Sequence, residues 1–235
     1  MAKFTSKQLE YLKDKNFLEQ YLLILNNRLV YSNNRIEYDV EEVDKLYDSN
    51  NVLSLEDNLD AFKILLSKLD SKEELTEELI IKVANTVNKH ALYISDNYRV
   101  IGDNVKFDNT YPIEKPSNIK RKMQELLYKY NNEWSKLDIF EREALFNIEF
   151  IRIHPFEDGN GRTSRLLLNY NMLRNGHAPI LIPATIRDKY FKERNKENVS
   201  WIKQLFIEES KKESIALDNL IDSYIEKSNT SNKRR

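Results

Sequence analysis

The stretch IRIHPFEDGNGRTSR, residues 151–165, follows one apolar helical pattern and opens another. Because Pro155 disfavours helical backbone at the residue before it, the first helix is predicted to end at His154. Two of the chain's four glycines, Gly159 and Gly161, stand where the next helix begins. Glycines there let backbone N–H groups approach a ligand closely, and the positive end of a helix dipole favours an anion. The stretch therefore predicts a phosphate-binding turn between two helices.

Side chains of matching chemistry surround this turn. Arg162 and Arg165 are three residues apart, so both guanidinium groups can face the loop. Asp158, at the mouth of the loop, offers the hard oxygen that Mg²⁺ prefers. His154 is the one group of the stretch suited to accept a proton near neutral pH. Each residue alone fits an ordinary role as a cap, turn residue or solvated charge, so the combination is what indicates a site.

The rest of the chain is predicted to be helical, because apolar residues recur at helical spacing. Helices are predicted within residues 9–29, 58–69, 76–94, 118–134, 138–153, 161–175, 196–212 and 214–227. Thr76 and Asp138 are placed as N-caps, and Gly176 follows a helix end. Residues 98–112 instead alternate apolar and polar side chains around a Gly-Asp-Asn turn, which predicts a short β-hairpin. We therefore expect an all-α fold with one small hairpin.

We divide the chain into three parts. Residues 1–57 form an N-terminal helical extension, residues 58–227 form the core, and the polar residues 228–235 are expected to be a disordered tail.

Composition narrows the function classes. The chain has 37 Lys and Arg against 38 Asp and Glu, so a basic surface for nucleic acid is not expected. Cysteine is absent, which excludes thiolate catalysis, disulfides and cysteine metal sites. His90 and His177 have no metal-ligand spacing and are interpreted as structural or surface residues. Because the N-terminus lacks a signal-peptide core and no apolar run reaches membrane-spanning length, we expect a cytoplasmic protein without a membrane partner.

The loop resembles the signature of the Fic family, His-x-Phe-x-Asp/Glu-Gly-Asn-Gly-Arg-x-x-Arg, and fills every specified position. The resemblance implies a Fic-type helical bundle. It also implies transfer of AMP from ATP to a Ser, Thr or Tyr hydroxyl of a target protein or of the chain itself, with release of pyrophosphate. ATP is then the substrate and Mg²⁺ the cofactor.

The resemblance further implies a role for each loop residue. His154 would remove the proton from the target hydroxyl, and Asp158 would hold Mg²⁺. Phe156 would anchor the loop from inside. The phosphates would be bound by Gly159, Asn160, Gly161, Arg162 and Arg165. The segment Val105, Lys106 and Phe107 looks like the family's flap, which docks the target by main-chain pairing.

Residues 31–39, YSNNRIEYD, resemble a diverged form of the family's inhibitory motif Ser/Thr-x-x-x-Glu-Gly/Asn. Glu37 would pair with Arg165 and block productive placement of the γ-phosphate. Asn33 stands where the motif has Ser or Thr, and Tyr38 where it has Gly or Asn. Tyrosine resists the left-handed backbone that Gly or Asn accepts at a helix end, so we expect a brake that is weakened or differently shaped.

The sequence leaves several interpretations open. Glu37 is either the brake or an ordinary surface carboxylate, and Asp218 is a lesser rival for the brake. Glu37 could instead orient a water that removes AMP from a modified target, which would make the protein a de-AMPylating or bifunctional enzyme. A non-catalytic ATP-binding regulatory module and a toxin held by a separate antitoxin are also compatible with these residues. A homo-oligomer is compatible with every one of these interpretations.

Overall fold

The computed structural model describes residues 3–37, 49–70, 74–91, 97–100 and 113–232. Its α-helices are α1 (Ser6–Leu12), α2 (Lys15–Glu37), α3 (Ser49–Leu66), α4 (Glu77–Val87), α5 (Pro116–Tyr128), α6 (Ile139–Ile153), α7 (Asn160–Arg174), α8 (Arg187–Asn195) and α9 (Val199–Asn232). A π-helical turn follows α5, and 3₁₀ turns precede α6 and α8. In these ranges the β-structure is one isolated bridge between Lys3 and His177. The predicted all-α fold class is confirmed.

The predicted N-caps and the glycine after α7 are present in the structure. The Thr76 hydroxyl accepts a hydrogen bond from the Leu79 N–H at 3.2 Å, and the Asp138 carboxylate accepts one from the Phe140 N–H at 3.2 Å. Each bond satisfies a backbone donor that the first turn of a helix leaves without an intrahelical partner. Gly176, just after α7, has a φ of +73°, the left-handed conformation expected at a helix end.

Helix α7 lies at the centre of the molecule. It packs against α2, α3, α4 and α6, and its side chains contribute to both clusters of buried apolar residues. The first cluster also draws on α2 to α6 and the C-terminal half of α9, and the second on α6, α8 and the N-terminal half of α9. Because α7 begins at Asn160, the signature loop emerges directly from the core.

The end of α2 is fixed near this loop. Ile36 is fully buried and belongs to the second cluster, whereas earlier residues of α2 such as Phe17 and Leu25 belong to the first. Burying an isoleucine side chain stabilises a fold by about 1.5–3 kcal/mol, so this anchor is substantial. It places Glu37, the next residue, at the start of α7.

The C-terminal region differs from the prediction. The sequence pattern predicts two helices, at 196–212 and 214–227, but α9 is one continuous helix of 34 residues. The prediction is wrong because the apolar stripe changes sides along α9 while the helix itself continues. Ile202 and Phe206 face the second cluster, while Leu217 and Ile221 face the first. The intervening residues contain no Gly or Pro that would end a helix.

The predicted domain limits, after residues 57 and 227, fall inside α3 and α9. The predicted flap, with Val105, Lys106 and Phe107, lies outside the described residues. Among the helices that the structure describes, none is long and apolar enough to cross a membrane.

The N-cap at Thr76 gives a test of this helix assignment. Thr76→Ala removes the oxygen that accepts the Leu79 N–H, so the free energy of unfolding should fall by about 1 kcal/mol. Urea unfolding measures this change. Thr76→Ser keeps the hydroxyl and should unfold close to the wild type, so equal losses in both variants would contradict the capping role.

Candidate active site

His154 lies at the corner where α6 ends and the loop begins. It is the C-cap residue of α6, with φ 52° and ψ 61°, and its N–H donates to the Phe150 carbonyl at 3.0 Å. A left-handed backbone at a non-glycine residue costs about 1–2 kcal/mol, so other interactions must hold it there. One is Pro155, which disfavours a right-handed helical backbone at position 154. The predicted helix end at this residue is confirmed.

The imidazole of His154 is held in its neutral form. Burial lowers its pKa to about 4, the positive charges of Arg99 and Arg194 act in the same direction, and a backbone hydrogen bond at Ile151 and the Asp158 carboxylate oppose them. At neutral pH the ring therefore carries no charge and can accept a proton. This is the state that a general base requires.

Phe156 and Asn160 give the loop its shape. Phe156 is buried and packs against Phe150 and Tyr98, with ring centroids 6.4 and 5.7 Å apart. The Asn160 amide donates to the Phe156 carbonyl at 2.7 Å and accepts from the Phe156 N–H at 3.0 Å. The loop is thus closed by one asparagine and anchored by one aromatic ring. Both polar ends of the Asn160 side chain bond the loop itself.

Gly159 permits the turn into α7. Its φ is +74°, which L side chains rarely adopt, and a Cβ there would lie 2.6 Å from the side chain of Asn88, which would have to move. Asn88, at the end of α4, donates to the Asp158 carbonyl at 2.9 Å. The turn leaves the first N–H groups of α7 pointing out of the helix, where an anion is favoured.

Arg162 is buried at the first turn of α7 and is held by four groups. Its Nη1 donates to the Ser54 hydroxyl at 3.0 Å and to the Val87 carbonyl at 3.4 Å. Its Nη2 donates to the Asn88 amide oxygen at 3.0 Å and to the Asp158 carboxylate at 2.9 Å. These partners come from α3, α4 and the loop, so three parts of the fold fix one guanidinium.

Arg165 is buried one turn further along and is held by α2. Its Nε donates to the side-chain oxygen of Asn33, and its Nη2 donates to the Asn33 carbonyl at 3.3 Å and to the Glu37 carboxylate at 2.5 Å. Its Nη1 is buried without a hydrogen-bond partner among the described residues, and lies 3.1 Å from where a Cβ on Gly161 would be. An unsatisfied buried cationic N–H facing the loop is a strong attraction for an anion.

The Glu37 carboxylate sits against the start of α7. A Cβ on Gly161 would lie only 2.2 Å from Glu37 Oε1, so this approach requires glycine at position 161. Burial would raise the pKa of Glu37, but Arg165, together with Arg162 and Arg194, holds the pKa below its usual value. Glu37 is therefore an anion placed at an anion-binding helix start. The predicted pairing with Arg165 is present.

Arg187 binds the end of α2 behind Glu37. Its Nε donates to the Ile36 carbonyl at 2.6 Å, and its Nη2 donates to the Glu37 carbonyl at 3.4 Å. Basic side chains commonly satisfy the last carbonyls of a helix in this way. The motif's Gly or Asn position is Tyr38 in this chain, which lies outside the described residues.

Asp158 is the candidate metal ligand. Its carboxylate is 69% exposed, and in the described ranges no cluster of three or more metal-binding side chains occurs. Mg²⁺ is usually held by one or two carboxylates together with phosphates and waters. A single exposed carboxylate beside an anion site fits a Mg²⁺ ion that arrives with a nucleotide, and does not fit a resident protein-only metal centre.

Sequence reasoning missed several contributors to the site. Ser54, Asn88 and Arg99 each contact the loop or its arginines, yet they belong to other segments and lie outside the signature.

The two remaining histidines and the rival carboxylate lie in other contacts. His90 bonds the Asp57 carboxylate at 2.7 Å, and His177 packs edge-on against Phe140. Asp218 accepts a hydrogen bond from Gln8 at 3.0 Å.

Comparison with known proteins agrees with this geometry. Residues 74–172 match the sequence model of the Fic/DOC family. The protein adenylyltransferase fic-1 of Caenorhabditis elegans is 36% identical over 77 residues, which is 32% of this chain and 15% of that relative. The matched segment thus spans less than a sixth of the relative's length.

Solved structures give the fold. A Fic domain containing signaling protein from Bacteroides thetaiotaomicron superposes with a TM-score of 0.72 at 20% identity, covering 91% of this chain and 95% of that one. IbpAFic2, solved covalently tethered to Cdc42, superposes with a TM-score of 0.55 at 18% identity, covering 78% of this chain and 63% of that one. Residues 74–172 thus resemble a Fic/DOC domain, and the chain has the Fic helical fold.

The lowered pKa of His154 predicts how stability depends on pH. Between about pH 6.5 and 4 the unfolded chain protonates this histidine and the folded chain does not. The unfolded state then binds more protons, so the free energy of unfolding falls as the pH is lowered through this window, by at most about 1.4 kcal/mol per pH unit.

Urea unfolding of the wild type and His154→Gln at pH 7, 6 and 5 isolates this contribution. The wild type should lose stability relative to the variant as the pH falls. Parallel curves for the two proteins would contradict a neutral, half-buried imidazole.

Proposed function

We propose that this protein is a protein adenylyltransferase, which transfers AMP from ATP to a hydroxyl side chain of a protein and releases pyrophosphate. One observation carries the proposal: a single loop joins a neutral imidazole, His154, to a helix start with two buried arginines, Arg162 and Arg165. A base for the nucleophile and a site for polyphosphate are what such a reaction needs. The names of the curated relatives support the same class of reaction.

His154 acts on the attacking hydroxyl. It takes the proton as the hydroxyl oxygen forms a bond to the α-phosphorus of ATP, and the bond from that phosphorus to the β-phosphate bridging oxygen breaks. The electron pair leaves with pyrophosphate. A pKa near 4 makes an isolated imidazole a weak base, but the negative charge of bound phosphates favours the protonated ring and raises its pKa toward the working range.

The start of α7 binds the phosphates. The free N–H groups of its first turn and the Arg162 guanidinium face the same negative charge, and Gly159 and Gly161 leave the backbone accessible. The Nη1 group of Arg165, which lacks a partner in the described part of the chain, supplies a further donor. Fixed donors of this kind stabilise charge as it develops on the leaving group.

Asp158 would hold Mg²⁺ together with the phosphates. When bound, the ion neutralises part of the phosphate charge and orients the group that is transferred. Asp158 accepts a hydrogen bond from Arg162 at 2.9 Å, and the same carboxylate would be the protein ligand of the metal ion.

Helix α2 acts as a brake on this reaction. Glu37 places a negative charge where a phosphate would bind, and its bond to Arg165 occupies a donor that the phosphate would use. Asn33 is a second hold, because its side-chain oxygen accepts from Arg165 Nε and its carbonyl accepts from Nη2. Asn33, which stands where the motif has Ser or Thr, therefore still accepts hydrogen bonds from Arg165. This difference from the motif does not by itself weaken the brake.

The substrate proposed is a protein hydroxyl, either on a target or on the chain itself. IbpAFic2, which shares the fold, was solved tethered to Cdc42, a protein partner. The flap segment at Val105, Lys106 and Phe107 is the proposed docking strand. Removal of AMP from a modified target is the second candidate activity, and it is favoured by an ionised Glu37 that is about a third exposed.

Loss of the Glu37 charge tests activity and brake together. Glu37→Gln keeps the size of the side chain but removes its charge, so labelling by ATP and Mg²⁺ should rise about tenfold or more, which corresponds to about 1.4 kcal/mol. Intact-protein mass spectrometry and labelling of added lysate detect the mass of one AMP. Adding His154→Ala to this variant should abolish the gain.

Glu213→Gln is the matched control. Glu213, on α9, forms an ion pair with Arg28 of α2 at 2.6 Å. Like the pair of Glu37 and Arg165, this pair joins α2 to another helix, but it lies away from the loop. This variant should label like the wild type. If Glu37→Gln binds ATP yet labels neither itself nor any lysate protein, the transferase proposal fails and the non-catalytic ATP-binding module becomes the better explanation. Release of AMP from modified protein would favour the reverse activity.

The metal role of Asp158 has its own test. In the Glu37→Gln background, Asp158→Asn should lower labelling about a hundredfold, because an amide is a poor Mg²⁺ ligand. ATP binding should also become insensitive to a chelator, as measured by calorimetry. Glu157→Gln, one residue away, is the control and should keep full metal dependence. Retained metal dependence in Asp158→Asn would remove this residue from the metal site.

A further inference from the structure

Arg99 is a buried cation beside the loop that neither the signature nor the inhibitory motif includes. Its side chain is 1% exposed, although a guanidinium is costly to bury without a charged partner. Its Nε donates to the His154 carbonyl at 2.7 Å, and its Nη2 donates to the Glu114 carbonyl. No ion pair of Arg99 with a carboxylate occurs within the ranges that the structure describes. The cation is hydrogen-bonded there to backbone carbonyls, and the charges of Glu157 and Glu114 oppose the lowering of its pKa by burial.

The backbone of Arg99 contacts the same loop. Its N–H donates to the Pro155 carbonyl at 2.9 Å, so main chain and side chain together bind two consecutive carbonyls, those of His154 and Pro155. These carbonyls set the orientation of the peptide groups that follow the imidazole. Since His154 has a left-handed backbone that is unfavourable for a histidine, such a restraint is needed to keep its ring in one place.

We infer that Arg99 is a positioning residue for His154, which holds the backbone of the general base in its strained conformation. The role of His154 as a base rests on the proposed function, whereas the contact between Arg99 and the His154 carbonyl does not depend on it. Arg99 joins three segments at this point, because Glu114 also contacts α6, where its N–H donates to the Arg152 carbonyl at 3.3 Å. The base is thus held from outside its own helix and loop.

The charge of Arg99 has a second effect. It is one of the charged groups that act on the imidazole, with Arg194 from α8 and Asp158 from the loop. A positive charge nearby disfavours protonation of the ring. Removal of Arg99 should therefore both loosen the base and make it easier to protonate, and the two effects are separable by substitution.

Two variants separate geometry from charge. Arg99→Gln removes the charge and the fork of donors, whereas Arg99→Lys keeps the charge but cannot hold the His154 and Glu114 carbonyls together. In the Glu37→Gln background, both should lower kcat about tenfold to a hundredfold. KM for ATP should change by less than about threefold, because Arg99 contacts no phosphate-binding group. Arg121→Gln, an exposed α5 arginine, is the control and should label normally.

NMR titration of the imidazoles gives a readout that needs no activity. The His154 signal is assigned by its loss in His154→Gln, and the His90 and His177 signals serve as internal references. The pKa of His154 should rise in Arg99→Gln and stay near the wild-type value in Arg99→Lys, while its chemical shift moves in both. If no AMP transfer is detected in any protein, these signals still decide the role of Arg99.

The inference is overturned if the His154 signal and pKa are unchanged in Arg99→Gln, or if kcat is unchanged in both variants. Should Arg99→Gln fail to fold, Arg99→Lys alone decides through the His154 chemical shift and kcat. A loss of kcat that is accompanied by an equal loss of ATP binding would also contradict a positioning role.

Discussion

The burial of Arg162 and Arg165 at the start of α7 is the constraint that organises this molecule. A buried guanidinium must be compensated, and neither arginine has enough partners within its own helix. The compensation comes from α2, α3, α4 and the loop, through side chains that include Glu37, Asn88 and Asp158. The positions of those helices around α7 are thus tied to charge as well as to apolar packing. The candidate active site thus lies at the centre of the fold.

This arrangement links stability to the ligand. In the state described, protein oxygens occupy donors that a polyphosphate would use, so the fold satisfies its own cations without a nucleotide. A nucleotide bound as proposed would replace these oxygens, so its net binding free energy would be the difference between the two sets of interactions. Under the proposed function, we expect a polyanion to bind more tightly than a weaker anion, because the ligand must replace the carboxylates that already pair with these arginines.

Much of the fold and part of the site could be predicted because their signals are local. Pro155, Gly159 and the caps at Thr76 and Asp138 act on their immediate neighbours, and the structure has each where local chemistry requires it. The partners of the loop, such as Asn88 and Arg99, come from distant segments and acquire meaning only after folding. The continuity of α9 was missed for a related reason, since its apolar stripe changes sides to follow two clusters.

The long helix α9 has a mechanical consequence. With a rise of about 1.5 Å per residue, its 34 residues extend roughly 50 Å and cross both apolar clusters. Helix α9 contributes residues to both clusters, and its backbone hydrogen bonds run without interruption between them. Unfolding of one cluster should therefore destabilise the other. The two halves of the molecule are therefore joined as a single cooperative unit, and partial melting that spares one core is disfavoured.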